Sequence, residues 1–284
     1  MVQSRVVVGV DGSPLSATAV VHAAHAAHDR GLSLHVVHAF APDLPLLGFG
    51  ALADRDVVTT HGRRLLTSAV ARAHAVHPRL EVTTALADGY ASTALVSASH
   101  TADLVVVGAT GFGVLSRATM GAVAMQVLTH ARCPVLVVGH ESLGAPTRGG
   151  RVVVGVDGSK PSRAALRAAA DEAERLSSSV QAVCAWQARD AHDPTLTSAS
   201  SWEDYEGAVE QMVRTTLAER GRPPLKVDVE VVREEPVPAL LRFAEGADLL
   251  VVGSRGGGGF DGLRLGSTAM ALVGRCPGDL LVTR

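Results

Sequence analysis

Aromatic residues make up 3% of this chain, and cysteine, lysine and long apolar runs are scarce as well. Each shortage closes off a class of protein. The three cysteines, Cys133, Cys184 and Cys276, have no C-x-x-C spacing and sit in apolar or Arg-Cys-Pro contexts. That argues against a disulfide framework or a zinc site and for buried thiols. Lys160 and Lys226 are the only lysines, so neither glycine-rich stretch carries the lysine of a G-x-x-x-x-G-K-[ST] phosphate loop, and there is no S-G-G-x-D-S pyrophosphatase loop. The first apolar run, residues 6–10, is closed by Asp11, and no later run reaches membrane-spanning length. A soluble, cytoplasmic protein is expected. The formal net charge of -2 offers no global attraction for nucleic acid or an acidic membrane surface.

What is present is a core and a repeated glycine pattern. With 284 residues, 47% hydrophobic and 19% charged, the chain can bury one large or two modest cores, which excludes a disordered chain. Residues 247–267 read ADLLVVGSRGGGGFDGLRLGS. The apolar run suits a strand buried on both faces, and Gly253, Gly256 and Gly266 follow it with the spacing G-x2-G-x9-G, closed by Ser267 and an apolar helical stretch. Glycines there let backbone N–H groups approach a ligand, and a helix N-terminus offers unpaired donors and a positive dipole end to phosphate. Residues 102–122, ADLVVVGATGFGVLSRATMGA, repeat the pattern with Gly108, Gly111 and Gly121, ending in Ala122 where the other copy has Ser267.

The duplication extends to the whole chain. RVVVGVDGS occurs at 5–13 and again at 151–159, Arg132-Cys-Pro134 answers to Arg275-Cys-Pro277, and His35-Val-Val-His-Ala-Phe40 answers to Gln181-Ala-Val-Cys-Ala-Trp186. Residues 142–150 have linker composition, dividing the chain into domains at 1–141 and 151–284. In the first half, strands are expected near 5–10, 34–39, 81–86, 104–107 and 135–138, with helices near 14–30, 57–77, 92–100 and 120–130. The second half repeats the strands near 151–156, 180–185, 226–232, 249–252 and 280–283, with Gly278-Asp279 predicting a bulge or a late start for the last. Strict alternation implies two tandem doubly wound five-stranded parallel sheets of the α/β class, Rossmann-like, with helices on both faces. Ligands of such sheets sit beyond the carboxyl ends of the strands, and the order 3-2-1-4-5 would bring Asp11 and Asp157 beside the glycine loops.

The V-G-V-D-G-S opening, the A-D-L-V-V-V-G strand, the glycine loop and the C-P-V-L-V-V ending, found with their counterparts in both halves, resemble the universal stress proteins in tandem form. The resemblance implies an ATP site in each half, with magnesium, and two halves packed as a pseudo-dimer through their last strands. It places Asp157 near the ribose and the metal-bearing phosphates, with Gly155 on the backbone path. Ala185 would hold adenine through main-chain groups, Val252 and Gly253 would border the ribose, and Gly256, Gly266, Ser267 and Thr268 would cradle the phosphates. The matching set is Gly9, Asp11, Ala39, Val107, Gly108, Gly111, Gly121, Ala122 and Val123. The function implied is that of a nucleotide-dependent regulator in the stress response, read by a protein partner or through a homodimer. The alternative is a slow ATPase or nucleotidyl-transfer enzyme using the same loops.

Other features have plainer readings beside these. Asp11 and Asp157 precede Ser-Pro and Ser-Lys-Pro and also suit helix N-caps. His22, His25 and His28, three apart on the first helix, read as a partly exposed face in preference to a metal site. Arg117 and Arg264 read as solvated loop arginines, and residues 44–49 as a loop packed on its own domain.

Overall fold

The computed structural model describes residues 4–40, 55–111, 121–142, 146–186, 201–223, 225–257, 264–276 and 278–284. The chain divides into two compact units, Met1–Pro146 and Thr147–Arg284. Unit 1 runs β1 (Arg5–Gly9), α1 (Pro14–Arg30), β2 (Ser33–Phe40), α2 (Arg55–Val76), β3 (Val82–Asp88), α3 (Ala91–Ala98), β4 (Ala102–Gly108), α4 (Ala122–His130) and β5 (Val135–Val138). Its strands are all parallel, in the order β3-β2-β1-β4-β5.

Unit 2 repeats the path with β6 (Arg151–Gly155), α5 (Lys160–Leu176), β7 (Ser179–Ala185), α6 (Trp202–Ala218), β8 (Val227–Val232), α7 (Pro236–Ala244), β9 (Leu249–Gly253), α8 (Ser267–Val273) and β10 (Leu280–Thr283). Its parallel order is β8-β7-β6-β9-β10. In each unit the strand order is therefore the expected 3-2-1-4-5. The last strand also starts late, because β10 follows Gly278 and Asp279 whereas β5 directly follows Pro134.

Burial explains why these segments fold as they do. Val6, Val7 and Val8, like Val152, Val153 and Val154, are 0% exposed, as expected of a central strand covered on both faces. Each such side chain contributes about 1.5–3 kcal/mol of transfer free energy. The strands β3 and β8 end their unit's order and read VTTALAD and VDVEVV, half-exposed sequences with polar positions. Helix α1 packs through small residues, Ala19, Ala23, Ala24 and Ala27, which bring its axis close to the sheet. It stops at Gly31, whose φ of 65° closes the C-terminus; at the equivalent place α5 uses Ser177 at φ 55°. Residues 148–150, within the segment of linker composition, are bonded into unit 2. Gly149 N–H donates to the Leu176 carbonyl, Gly150 N–H donates to Asp248 Oδ2, and Ser179 N–H donates to the Gly150 carbonyl.

Candidate functional site

In each unit the chain leaves the first strand towards one side and the fourth towards the other, so the ends of β1 and β4, or β6 and β9, flank a topological switch point. Asp11 and Asp157 stand there. Ser13 N–H donates to Asp11 Oδ1 at 2.9 Å and Ser159 N–H to Asp157 Oδ1 at 3.0 Å. Between them Gly12 and Gly158 take φ of 87° and 79°, a left-handed bend that turns each carboxylate back over the strand end. The helix caps are Ser13 and Ser159, whose hydroxyls accept from Ser16 N–H and Ser162 N–H. The cap role considered for the aspartates therefore belongs to the serines, and the aspartates fix the turn that presents them.

The glycine loops close against those aspartates. A Cβ at Gly111 would lie 2.5 Å from Asp11 Oδ2, and one at Gly256 would lie 2.5 Å from Asp157 Oδ2. No side chain fits either position with the carboxylate in place. In unit 2, Gly257 N–H also donates to Asp157 Oδ2 at 2.8 Å. The loop ends are tied at their base: Gly121 N–H donates to the Ala109 carbonyl at 2.9 Å and Gly266 N–H to the Ser254 carbonyl at 2.7 Å. Gly108 and Gly253 make room for the starts of α1 and α5, where an added Cβ would meet Leu15 at 3.3 Å and the Pro161 backbone at 3.1 Å.

Gly121 and Gly266 are the N-caps of α4 and α8, and neither helix has a side-chain cap. The N–H groups of a first helical turn have no partner within the helix, so these turns present donors beside the loops. Ala122, Val123 and Ser267 are exposed there, and Thr268 is half-buried. Val107 and Val252 are buried at the strand ends. Ala39 and Ala185 lie at the same end of the sheet, on the strand beside β1 or β6, registered with Ala87 and Val232. Gly9 and Gly155 have a packing explanation of their own, because a Cβ there would meet Leu95 at 2.8 Å and Leu240 at 3.1 Å. Arg264 is exposed; Arg117 and residues 44–49 lie outside the described residues.

Two groups at this end of the sheet escaped the sequence reading. His38 Nδ1 donates to the Val10 carbonyl at 2.8 Å, one residue before Asp11, and Gly62 of α2 packs against its ring. The equivalent residue in unit 2 is Cys184, whose Sγ lies 3.5 Å from the Tyr205 hydroxyl. Tyr205 stacks on Trp202, Trp186 meets both edge-on, and the Arg233 guanidinium lies 4.1 Å over the Trp202 ring. The His38–Cys184 mismatch in an otherwise matched repeat was the available signal. The concentration of both tryptophans within one half was the other.

The family model described as Universal stress protein family matches residues 4–139 and again residues 150–284. Universal stress protein Rv1996 of Mycobacterium tuberculosis is 33% identical over 299 residues, spanning 98% of this chain and 94% of its own. Universal stress protein Rv2623 of the same organism is 33% identical over 286 residues, spanning 96% and 94%. The crystal structure of a universal stress protein from Archaeoglobus fulgidus aligns over 99% of both chains with a TM-score of 0.74 at 19% identity, a likeness of fold.

Proposed function

The chain belongs to the universal stress protein family, and from that premise we propose that it binds ATP in each unit and acts as a nucleotide-dependent regulator. The observation that carries this reading is the twofold pairing of aspartate with glycine loop, in which a Cβ at Gly111 or Gly256 would lie 2.5 Å from the Asp11 or Asp157 carboxylate. A tight turn with no ligand has no need of a carboxylate held against the loop by two separate glycine positions. Magnesium suits this arrangement. Each Asp157 oxygen accepts one N–H, and a carboxylate offers about four acceptor positions, which leaves lone pairs for a hard cation or its water ligands. Bound there, magnesium would neutralise phosphate charge. Asp11 and Asp157 would hold it, and the first turns of α4 and α8 would bind phosphate oxygens.

Regulation in preference to catalysis follows from the loops' composition, which provides no lysine to grip a transferring phosphoryl group. ATP would instead shift the population of a state that a protein partner or a second copy reads. The test is mass spectrometry of nucleotide released from the purified, denatured protein, with phosphate release measured alongside. Retained ATP with little turnover supports the reading. Fast, saturable phosphate release would move it to the ATPase or nucleotidyl-transfer alternative.

A further inference from the structure

The chain has few aromatic residues, yet both tryptophans and one of its two tyrosines meet at one place in unit 2. Trp186 directly follows β7, and its N–H donates to the Val232 carbonyl at 2.8 Å, which pins it at the end of the sheet beside Ala185. Its ring centroid lies 5.7 Å from that of Trp202 and 6.1 Å from that of Tyr205, both in the first turn of α6. Trp202 is itself held: it stacks on Tyr205, its Nε1 donates to Glu206 Oε1, and the Arg233 guanidinium lies over its ring.

Unit 1 has no such wall. The counterpart of Trp186 is Phe40, which continues β2, pairs with Asp88 and is 9% exposed. Where Cys184 of β7 packs against Tyr205 of α6, His38 of β2 packs against Gly62 of α2. A Cβ at Gly62 would lie 2.7 Å from Leu86 and 2.8 Å from His38, so no aromatic side chain fits α2 there with those residues in place. At the next strand end, Asp88, paired with Arg55 at 3.0 Å, stands where unit 2 has Arg233. This face borders the candidate site, because α2, the counterpart of α6, sets Leu65 against Gly12 in the turn that presents Asp11.

Packing accounts for Tyr205 better than for Trp186. Tyr205 is buried, whereas Trp186 and Trp202 are half-buried. The two neighbours meet Trp186 at 72° and 62°, and among the described residues no ring lies parallel to it. A fixed, partly open indole of this kind is a stacking surface for a flat π system, and the flat part of a nucleotide is its base. We propose that Trp186 is the base-stacking residue of unit 2, so that this unit holds an adenine ligand by its base while unit 1 depends on phosphate contacts. The proposal rests on the nucleotide reading above and deepens it. Stacking is indifferent to phosphate number, so the ligands of unit 2 extend to adenine nucleosides and monophosphates.

Because both tryptophans lie in this cluster, the intrinsic tryptophan emission of the full chain reports on unit 2. Adenosine, AMP and ATP should each quench it saturably. By calorimetry, Trp186→Ala should weaken all three at one site by a common factor of about five- to hundredfold; Trp186→Phe should recover most of the loss and Trp186→Leu little. A factor that grows from adenosine to ATP would mean that the residue acts through the glycine loop, and would overturn the assignment. The quenching measurement uses the parent protein, so it decides the matter even if the alanine variant does not fold. The two readings fail separately. Quenching by adenosine with no ATP bound keeps the stacking residue and sinks the ATP proposal, whereas ATP bound at two sites with unchanged tryptophan emission does the reverse. Binding of neither ligand overturns both.

Discussion

Replacing Gly256 by alanine tests the feature on which the site is built. The added methyl would lie 2.5 Å from Asp157 Oδ2, a separation that forces the carboxylate or the loop to move. The bond at risk is the 2.8 Å one from Gly257 N–H to that oxygen. Hydrogen bonds to a charged group contribute about 1.5–3 kcal/mol, and this one is exposed, so a stability loss of about 1–1.5 kcal/mol is expected in urea unfolding. Loss of the aligned carboxylate should also weaken ATP about ten- to hundredfold at unit 2 by calorimetry. Gly257→Ala is the control. Its methyl would meet Ser159 Cβ and Asp157 Oδ2 only at 3.8 and 3.9 Å, ordinary contacts, so it should change either measurement little. Two variants that behave alike would refute the idea that close approach to Asp157 dictates glycine at position 256.

Three further outcomes are expected. Ser267 presents an exposed hydroxyl at the start of α8 where α4 has Ala122, so Ser267→Ala should weaken the unit 2 site and Ala122→Ser should strengthen the unit 1 site, each by tenfold or less, read by calorimetry. Ser177 is held at φ 55°, a region that costs a side chain about 1 kcal/mol, so Ser177→Gly should raise thermal stability and Gly31→Ala, at φ 65°, should lower it. Arg220, with 6% of its side chain exposed, joins two carboxylates each about a third exposed, so Arg220→Ala should cost about 1–2 kcal/mol. Because the Glu174 carboxyl is held below its ordinary value, that contribution should be fully present above about pH 4.5 and disappear as pH falls through the lower value, which acid titration of parent and variant would show.

The fold was legible because its central strands carry no polar alternation and its helix starts carry their own punctuation. Ser13-Pro14 marks the start of α1 to the residue, whereas α5 begins at Lys160, one residue before the proline that signals it. The first sheet's outer strand β3 was displaced by a residue or two, since its half-exposed alternation fades into the flanking turn. The glycine spacing and its neighbouring aspartates were legible from the repeat, but their division of labour was not. That Ser13 and not Asp11 caps the helix was a choice between neighbours that the sequence left open, whereas Leu95 filling the space at Gly9 and the Asp11 carboxylate filling that at Gly111 are facts of partners distant in sequence. The histidines of α1 show the same limit. Their spacing was visible and the expected partly exposed face holds for His28 and half-buried His25, but the burial of His22 and the contact of His25 and His28 with His77 were not readable from α1 alone.

The most direct measurement of the central claim is the nucleotide content of the protein as purified, read by mass spectrometry after denaturation and completed by titration with ATP and magnesium. ATP retained or bound at up to one per unit, with little phosphate released, is the predicted result. A protein that stays empty at millimolar ATP and magnesium would contradict the account, because the carboxylates pressed into both glycine loops would then have no ligand to explain them.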